Sequence, residues 1–589
     1  MRMKMMLALL AGTLFGVPTH AADMADVDNA AATPPMGWNP WNAFRTEVTE
    51  AKILAVAKKL KSSGLAAAGY RYVNVDDGWW LARRADGRIL VRTSMFPSAA
   101  TPDGRTSLKP FVDRLHAMGL KAGLYTDIGR NICSQAWDPS SPNLPAGARA
   151  EREVGSMDFQ RQDMQLMFGE LGIDYLKVDA CGMADYAPDR RHVRDGTYRE
   201  LGPFIVRHRP EQGDAAKVEA LYASLAAEIA AVRPRGDYML SICTWGEADA
   251  ANWAGKYGQL WRTSPDIRAT WESMLSSFDT AERRALYAGP GRWNDPDMLQ
   301  IGNGEFGAGR LVEARAHLSL WAILGAPLLL GYDLTRSPDS LIAIAGNREA
   351  IAIDQDPAGN QGITVSRDGD AQVIVKALRE RGAKAVALVN RGNRPLTVSV
   401  PLHRLRLRPG VAVRDVWGGR SERLEGDTVT RRLGPRETAL LRVTGMPLAG
   451  VHLTEMTGRI RVLEDGRAGR RVDPAWVPAQ VNAAPSGEPL VLAGERHDDG
   501  LGVLGNSRLQ VALDSRFRTF RATVGPLDAG TTATFRVLGD GKVLAERAVA
   551  APAGLDVPVA GVRLLELVVE EQGKAGPPVL AAWAQARLE

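Results

Sequence analysis

Cysteine is scarce in this chain: Cys133, Cys181 and Cys243 are the only three in 589 residues. They allow at most one disulfide and leave an odd thiol. No C-x-x-C or H-E-x-x-H spacing occurs, which argues against a structural or catalytic zinc, so no metal and no cofactor is expected. No G-x-G-x-x-G follows the first candidate strand, which argues against a dinucleotide. Basic runs do not exceed pairs such as Arg190-Arg191 and Arg431-Arg432, and 73 Lys and Arg stand against 68 Asp and Glu for a net charge of +5. Neither a nucleic acid nor an anionic membrane is implied as a partner.

One apolar stretch, Met5 to Val17, is too short to span a bilayer. With Arg2 and Lys4 before it and Thr19-His20-Ala21 after it, the segment 1–21 reads as a secretory signal. Export to the periplasm or beyond, with no membrane anchor, is the expectation. Length predicts two to four domains.

From Pro34 to Pro357 short β-branched runs alternate with amphipathic helical stretches, the pattern of parallel βα units. Eight strands are expected, at Met36 to Asn39, Tyr70 to Asp76, Lys121 to Tyr125, Tyr175 to Asp179, Tyr238 to Thr244, Leu260 to Thr263, Trp293 to Leu299 and Pro327 to Tyr332. Helices are expected between them, at Glu50 to Ala67, Leu108 to Met118, Met157 to Leu171, Val218 to Val232, Trp271 to Tyr287 and Leu311 to Leu324. The α/β fold class that follows is a (β/α)8 TIM barrel over 30–357, with an open doubly wound sheet as the alternative. An antiparallel β-sandwich is expected over 358–446 and a second all-β domain over 450–589.

Chemistry concentrates in Tyr175-Leu176-Lys177-Val178-Asp179. Residues i and i+2 of a strand share a face, so Lys177 and Asp179 point the same way at a strand end. In a barrel that end is the catalytic mouth, and a carboxylate held beside an ammonium is a poised nucleophile. Other predicted strand ends carry Trp38 and Trp41, Asp76 and Asp77, Tyr125 and Asp127, Trp245 and Glu247, Arg262 and Asp266, and Asp295 and Asp297. Aromatic rings beside carboxylates, one Lys and one Arg suit a sugar, whose C–H face stacks while its hydroxyls are gripped. Glycoside hydrolysis needs two carboxyl groups, and Asp179 and Asp266 are the candidates. Asp266, in an apolar-flanked Ser-Pro-Asp-Ile turn, is expected to have a raised pKa. Their separation, about 5 Å or about 8 Å, decides between retention and inversion, and sequence leaves that open.

The segments Thr33 to Asn39, Val75 to Trp79, Tyr175 to Cys181, Trp261 to Ile267, Trp293 to Leu299 and Asp354 to Pro357 resemble the α-galactosidases of glycoside hydrolase family 27. The resemblance implies a retaining enzyme with a (β/α) barrel and a C-terminal antiparallel β domain, and together with the signal segment the expectation is a secreted enzyme acting on terminal α-D-galactosyl groups of oligosaccharides or galactomannan. Within it Asp179 matches the nucleophile and Asp266 the acid/base. Asp76 and Asp77 match binders of the 4- and 6-hydroxyls, Trp41 the apolar platform, and Lys177, Arg262, Tyr125 and Asp297 the rest of the pocket. Cys133 and Cys181 match a disulfide of the family. One departure is Thr244, followed by Trp245, where many members have a glutamate at the 2-hydroxyl. The related α-N-acetylgalactosaminidases put a small hydroxyl residue there, so that activity, β-L-arabinopyranosidase activity and a glycan-binding pseudo-enzyme remain alternatives. From about Val451 the chain is similar to NPCBM carbohydrate-binding modules, through His497 to Gly502, Phe520 to Gly525, Phe535 to Val537, Asp540 to Lys542 and Ala582 to Leu588.

Overall fold

The computed structural model describes residues 31–467, 472–571 and 577–589; the expected signal at 1–21 lies outside them. Eight parallel strands follow one another around a single sheet: β1 (Met36–Trp38), β2 (Tyr72–Asn74), β3 (Lys121–Asp127), β4 (Tyr175–Asp179), β5 (Met239–Ile242), β6 (Leu260–Arg262), β7 (Trp293–Asp295) and β8 (Leu328–Leu330). β8 pairs with β1 in parallel register, Met36 opposite Leu328. Just past β7, Leu299 N–H donates to Leu329 O at 2.7 Å and Gly331 N–H donates to Leu299 O at 2.9 Å, which closes the ring. The closed barrel, rather than the open doubly wound sheet, is therefore the architecture.

Local chemistry sets where the elements stop. The helix Glu50–Ser62 starts at Thr49, whose side chain accepts from Lys52 N–H, and ends short of the expected Ala67 because Gly64 takes a φ of +83°. Asp214 caps the helix Ala215–Val232 by accepting from Lys217 N–H, three residues before the expected start. The expected Met157 to Leu171 helix begins only at Gln160, and its second half, Gln165–Leu171, is wound as a π-helix ending at Gly172 with φ +72°. Two short helices beyond the barrel, Asp339–Ala345 and Arg348–Asp354, were not among the expected elements.

The sandwich packs a six-stranded antiparallel sheet against the two-stranded Leu396–Pro401 and Thr428–Leu433 pair. Alternation divides its core: Val386, Leu388 and Leu441 face the small sheet, while Ala385, Ala387, Val389 and Leu440 join the apolar core of the barrel. Trp271 Nε1–H donates to Arg391 O and Trp417 Nε1–H donates to Ser319 Oγ, both at 2.9 Å, so this seam is fixed by polar contacts too.

The last region is again a pair of antiparallel sheets, with Phe520, Phe535 and Trp583 fully buried between them. Its Asp498 and Asp499 turn toward the sandwich. Asp499 accepts from His452 Nδ1 and Thr454 Oγ1, each at 2.6 Å, and pairs with Arg406 at 3.2 Å, while Asp498 pairs with Arg404 and Arg496. The His497 to Gly502 motif thus fastens two domains together. Among the described residues no helix is long and apolar enough to cross a membrane.

Candidate active site

β3 and β4 run in register, with Tyr125 opposite Lys177 and Asp127 opposite Asp179. That register places the Lys177 ammonium 5.1 Å from the centre of the Tyr125 ring. Lys177 Nζ donates to Asp76 Oδ2 at 3.1 Å and stands 3.7 Å from Asp179 Oδ2. Burial works against the ammonium, but Asp76 and Asp179 outweigh it and hold its pKa well above the usual lysine value. Asp179 accepts one hydrogen bond, from Ala180 N–H at 3.0 Å. Burial, opposed by Lys177 and reinforced by Asp266, lifts its pKa to about 6.

Around this centre the second-strand carboxylates are tied in place. Asn39 Nδ2–H donates to Asp76 Oδ2 at 2.7 Å, and Asp77 N–H to Asp76 Oδ1 at 2.9 Å. Asp77 accepts from both the backbone N–H and the hydroxyl of Ser134 at 2.8 Å. Burial still carries Asp77 to about 7 against those hydrogen bonds. Ser134 follows Cys133, which is disulfide-bonded to Cys181. The loop behind β4 is thereby linked to the residue that holds Asp77. Asp127 sits under the same loop, fully buried, accepting from Gly129 N–H at 2.7 Å and Gly182 N–H at 3.1 Å. A Cβ at Gly182 would come 2.6 Å from an Asp127 oxygen and 2.7 Å from the Gly129 Cα, so the contact requires glycine.

On the far side, Arg262 at the end of β6 reaches Asp297 at 2.9 Å and Asp266 at 3.1 Å. Asp297 has a φ of +83° and accepts from Ile267 N–H and Met298 N–H. This strained backbone aims its carboxylate at Arg262. Burial raises Asp297, against Arg262. Asp266 behaves differently from the sequence expectation. Its side chain keeps 70% of its surface open, and although burial of the turn pushes it up, Arg262 and Lys177 outweigh that and hold it below the usual carboxylate range. The flanking apolar residues named in the sequence are overridden by the guanidinium that ends β6, four residues before Asp266.

Asp76, Asp77, Tyr125, Lys177, Asp179, Arg262, Asp266 and Asp297 line one cavity of about 550 Å³ together with Trp41, Trp137, Arg207, Trp245, Glu247 and Met298, whereas Asn39 and Asp127 lie outside its lining. A larger cavity of about 830 Å³ between the sandwich and the last region is lined by Glu380, Glu455 and Asp514, each ion-paired with a lysine or an arginine. Of the residues expected at the site, Trp41, Asp76, Asp77, Tyr125, Lys177, Asp179, Trp245, Arg262, Asp266 and Asp297 come together here. Thr244 does not: it is fully buried, and its hydroxyl donates to Glu247 O at 3.1 Å. Glu247 lines the cavity instead, its Oε1 accepting from His208 N–H at 3.0 Å. Asn39, Ser134 and Arg207 were missed. Arg207, whose guanidinium lies 4.1 Å from the Trp245 ring and pairs with Asp185, comes from a loop with no strand-end position to mark it.

Residues 33–201 and 225–356 match the family described as Alpha galactosidase A. Alpha-galactosidase 2 of Arabidopsis thaliana is 34% identical over 419 residues, which cover 70% of this chain and 90% of the plant protein. The chain belongs to this α-galactosidase family. Alpha-galactosidase A of Cellvibrio japonicus is 33% identical over 400 residues, covering 66% of this chain and 82% of that protein. Among solved structures, α-galactosidase I from Mortierella vinacea superposes with a TM-score of 0.57 at 25% identity, over 72% of this chain and 99% of the fungal one. Residues 368–443 match the Alpha galactosidase C-terminal beta sandwich domain and residues 462–589 the NPCBM/NEW2 domain. Family membership thus extends over the barrel and the sandwich, with a carbohydrate-binding type of module behind them.

Proposed function

We propose that the protein is a secreted, retaining exo-α-galactosidase that removes terminal α-D-galactosyl groups from oligosaccharides or galactomannan. Asp179 attacks the anomeric carbon while Asp266 protonates the departing glycosidic oxygen. Water, deprotonated by Asp266, then releases the sugar from the Asp179 ester. Asp76 and Asp77 accept from the 4- and 6-hydroxyls, Trp41 stacks on the C–H face, and Lys177 and Arg262 grip the remaining hydroxyls, with Tyr125, Trp245 and Asp297 completing the wall. The observation that carries the reading is the pairing of Lys177 with both Asp76 and Asp179 in one cavity. One cation orients a hydroxyl-binding carboxylate and favours the ionised nucleophile at once.

Asp266 must hold a proton to act as acid. Seating a sugar over it excludes water and draws Arg262 toward the substrate hydroxyls, and both changes raise its pKa. What supports galactose over an acetamido sugar is the position of Thr244, which sits behind the cavity wall rather than in it. The apolar segment Met5 to Val17 and the Cys133–Cys181 disulfide support export.

Release of nitrophenol from α-galactoside, α-N-acetylgalactosaminide and β-L-arabinopyranoside derivatives, with Asp179→Ala as control, tests the reading. Cleavage of the α-galactoside is expected, with the α-anomer formed first by NMR. Preference for another glycoside, a β-anomer first, or no release would each reject the corresponding part.

A further inference from the structure

A cavity of about 520 Å³ lies between the sandwich and the C-terminal module and adjoins the larger one through Ala377, Lys384 and Glu455. Five cations line it: Lys384, Arg404 and Arg406 from the sandwich, and Arg496 and Arg587 from the module. Among the described residues three carboxylates join them, Glu455, Asp498 and Asp499. Both oxygens of each are already taken. Glu455 meets Lys384 and the His452 N–H, Asp498 meets Arg404 and Arg496, and Asp499 meets His452, Thr454 and Arg406. The guanidiniums keep donors unused. Arg406 approaches Asp499 through one nitrogen at 3.2 Å, while Arg496 and Arg587 donate through Nε alone, to Asp498 at 3.0 Å and to Glu589 at 3.1 Å. Their other nitrogens have no hydrogen-bond partner among the described residues, and the side chains of Arg406, Arg496 and Arg587 keep 30%, 67% and 34% of their surface open.

The distribution of charge along the chain points the same way. Residues 358–446 carry 17 Lys and Arg against 8 Asp and Glu, an excess larger than the net +5 of the whole chain. Toward the barrel this excess meets carboxylates: Arg391 pairs with Asp279, Arg414 with Glu349 and Arg436 with Glu305. Toward the module the balance stays positive, because Arg496 and Arg587 join the same wall. A guanidinium donates and cannot accept, so the unmatched donors call for a ligand rich in acceptors and negative in charge. Gln585, exposed on that wall, has a side-chain amide without a partner among the described residues, which suits a sugar hydroxyl. No Phe, Tyr or Trp lines the cavity, which leaves a nucleobase without a stacking platform, and a recess does not fit a flat bilayer surface. We infer that the cavity is a second glycan site, for sugar units bearing a carboxylate or sulfate group. It shares no lining residue with the barrel mouth and stands apart from the galactosidase reading. A glycan held there bridges sandwich and module and keeps the enzyme on acidic polymers while the mouth works on its own substrate.

Calorimetry on the full chain at low salt compares β-1,4-linked trimannuronate with β-1,4-mannotriose, which differ only in their carboxylates and carry no galactosyl group. Trimannuronate is expected to bind at least about tenfold tighter, the effect of one charge-assisted hydrogen bond, and inorganic sulfate to displace it. Arg406→Met should weaken trimannuronate by about tenfold or more for the same reason. Because Arg406 also touches Asp499 in the seam, Arg587→Gln serves as a second variant that leaves the seam contacts in place. It should weaken trimannuronate by about threefold, as for a partly exposed ion pair. Equal binding of the two trisaccharides overturns the selectivity for acidic sugars, and undiminished binding in both variants overturns the location. Sulfate that binds where trimannuronate does not overturns the glycan assignment and leaves a site for free oxyanions. Absence of binding by trimannuronate and sulfate alike overturns the site and leaves the galactosidase reading standing.

Discussion

The barrel mouth and the seam between sandwich and C-terminal module are both built from carboxylates facing cations, yet they are put together in opposite ways. At the seam, Asp499 is surrounded by His452, Thr454 and Arg406, at 2.6 Å, 2.6 Å and 3.2 Å. Protein groups saturate that carboxylate, and its pKa is held below the usual range despite burial. At the mouth, Asp179 accepts a single hydrogen bond among the described residues and its other oxygen stands 3.7 Å from Lys177, and its pKa rises to about 6. A saturated carboxylate is a fastener, whereas an under-coordinated one beside a cavity retains capacity for a ligand. The same residue types therefore give adhesion in one place and reactivity in the other, according to how many donors reach each oxygen.

If that contrast is right, the largest effect belongs to the mouth. Asp179→Ala should lower kcat on nitrophenyl α-galactoside by about 10⁴-fold or more, as for other residues that act as nucleophiles, with the circular dichroism spectrum unchanged. A loss under tenfold would mean that Asp179 does not attack. Next, Asp77→Ala removes a hydroxyl acceptor and leaves Ser134 without its partner; kcat/KM should fall by about 10²-fold, and an unchanged value would place Asp77 outside the sugar contacts.

The pH profile sharpens the same comparison. Asp179 must be ionised to attack, so kcat/KM of the free enzyme should decline as pH falls through about 6. Lys177 lowers that pKa; removing its charge in Lys177→Met lets burial dominate, so the acid limb should move upward by about one pH unit. A limb that stays in place would show that Lys177 only binds hydroxyls.

The seam predicts a different signature. Asp499→Ala leaves His452 and Arg406 facing a buried gap and should destabilise the docked module by about 3 kcal/mol, read from denaturant unfolding, while kcat on the aryl galactoside stays within twofold. Smallest of all, Thr244→Val deletes a buried hydroxyl and should change kcat/KM less than threefold; a larger change would return Thr244 to the substrate contacts.

Much of the mouth was legible because strand-end residues in a parallel barrel converge by geometry: alternation within Tyr175 to Asp179 was enough to pair Lys177 with Asp179. Legibility ended where loops decide the outcome. Thr244 and Glu247 are three residues apart, and only the turn with positive φ at Trp245 and Gly246 determines that the glutamate faces the cavity and the threonine does not. Asp266 was misjudged for a different reason: Arg262, four residues before it, stands 3.1 Å away and outweighs the apolar residues that flank it.

Periodicity and turn chemistry, which act over a few residues, determined by themselves the βα alternation, the all-β texture after Gly359 and the set of carboxylates at strand ends. Tertiary structure alone decided that Arg262 reaches Asp297, and that Asp498 and Asp499 fasten domains together. Those outcomes depend on contacts between residues tens to hundreds of positions apart, and no local pattern encodes which side chain from a distant segment will stand within hydrogen-bonding distance.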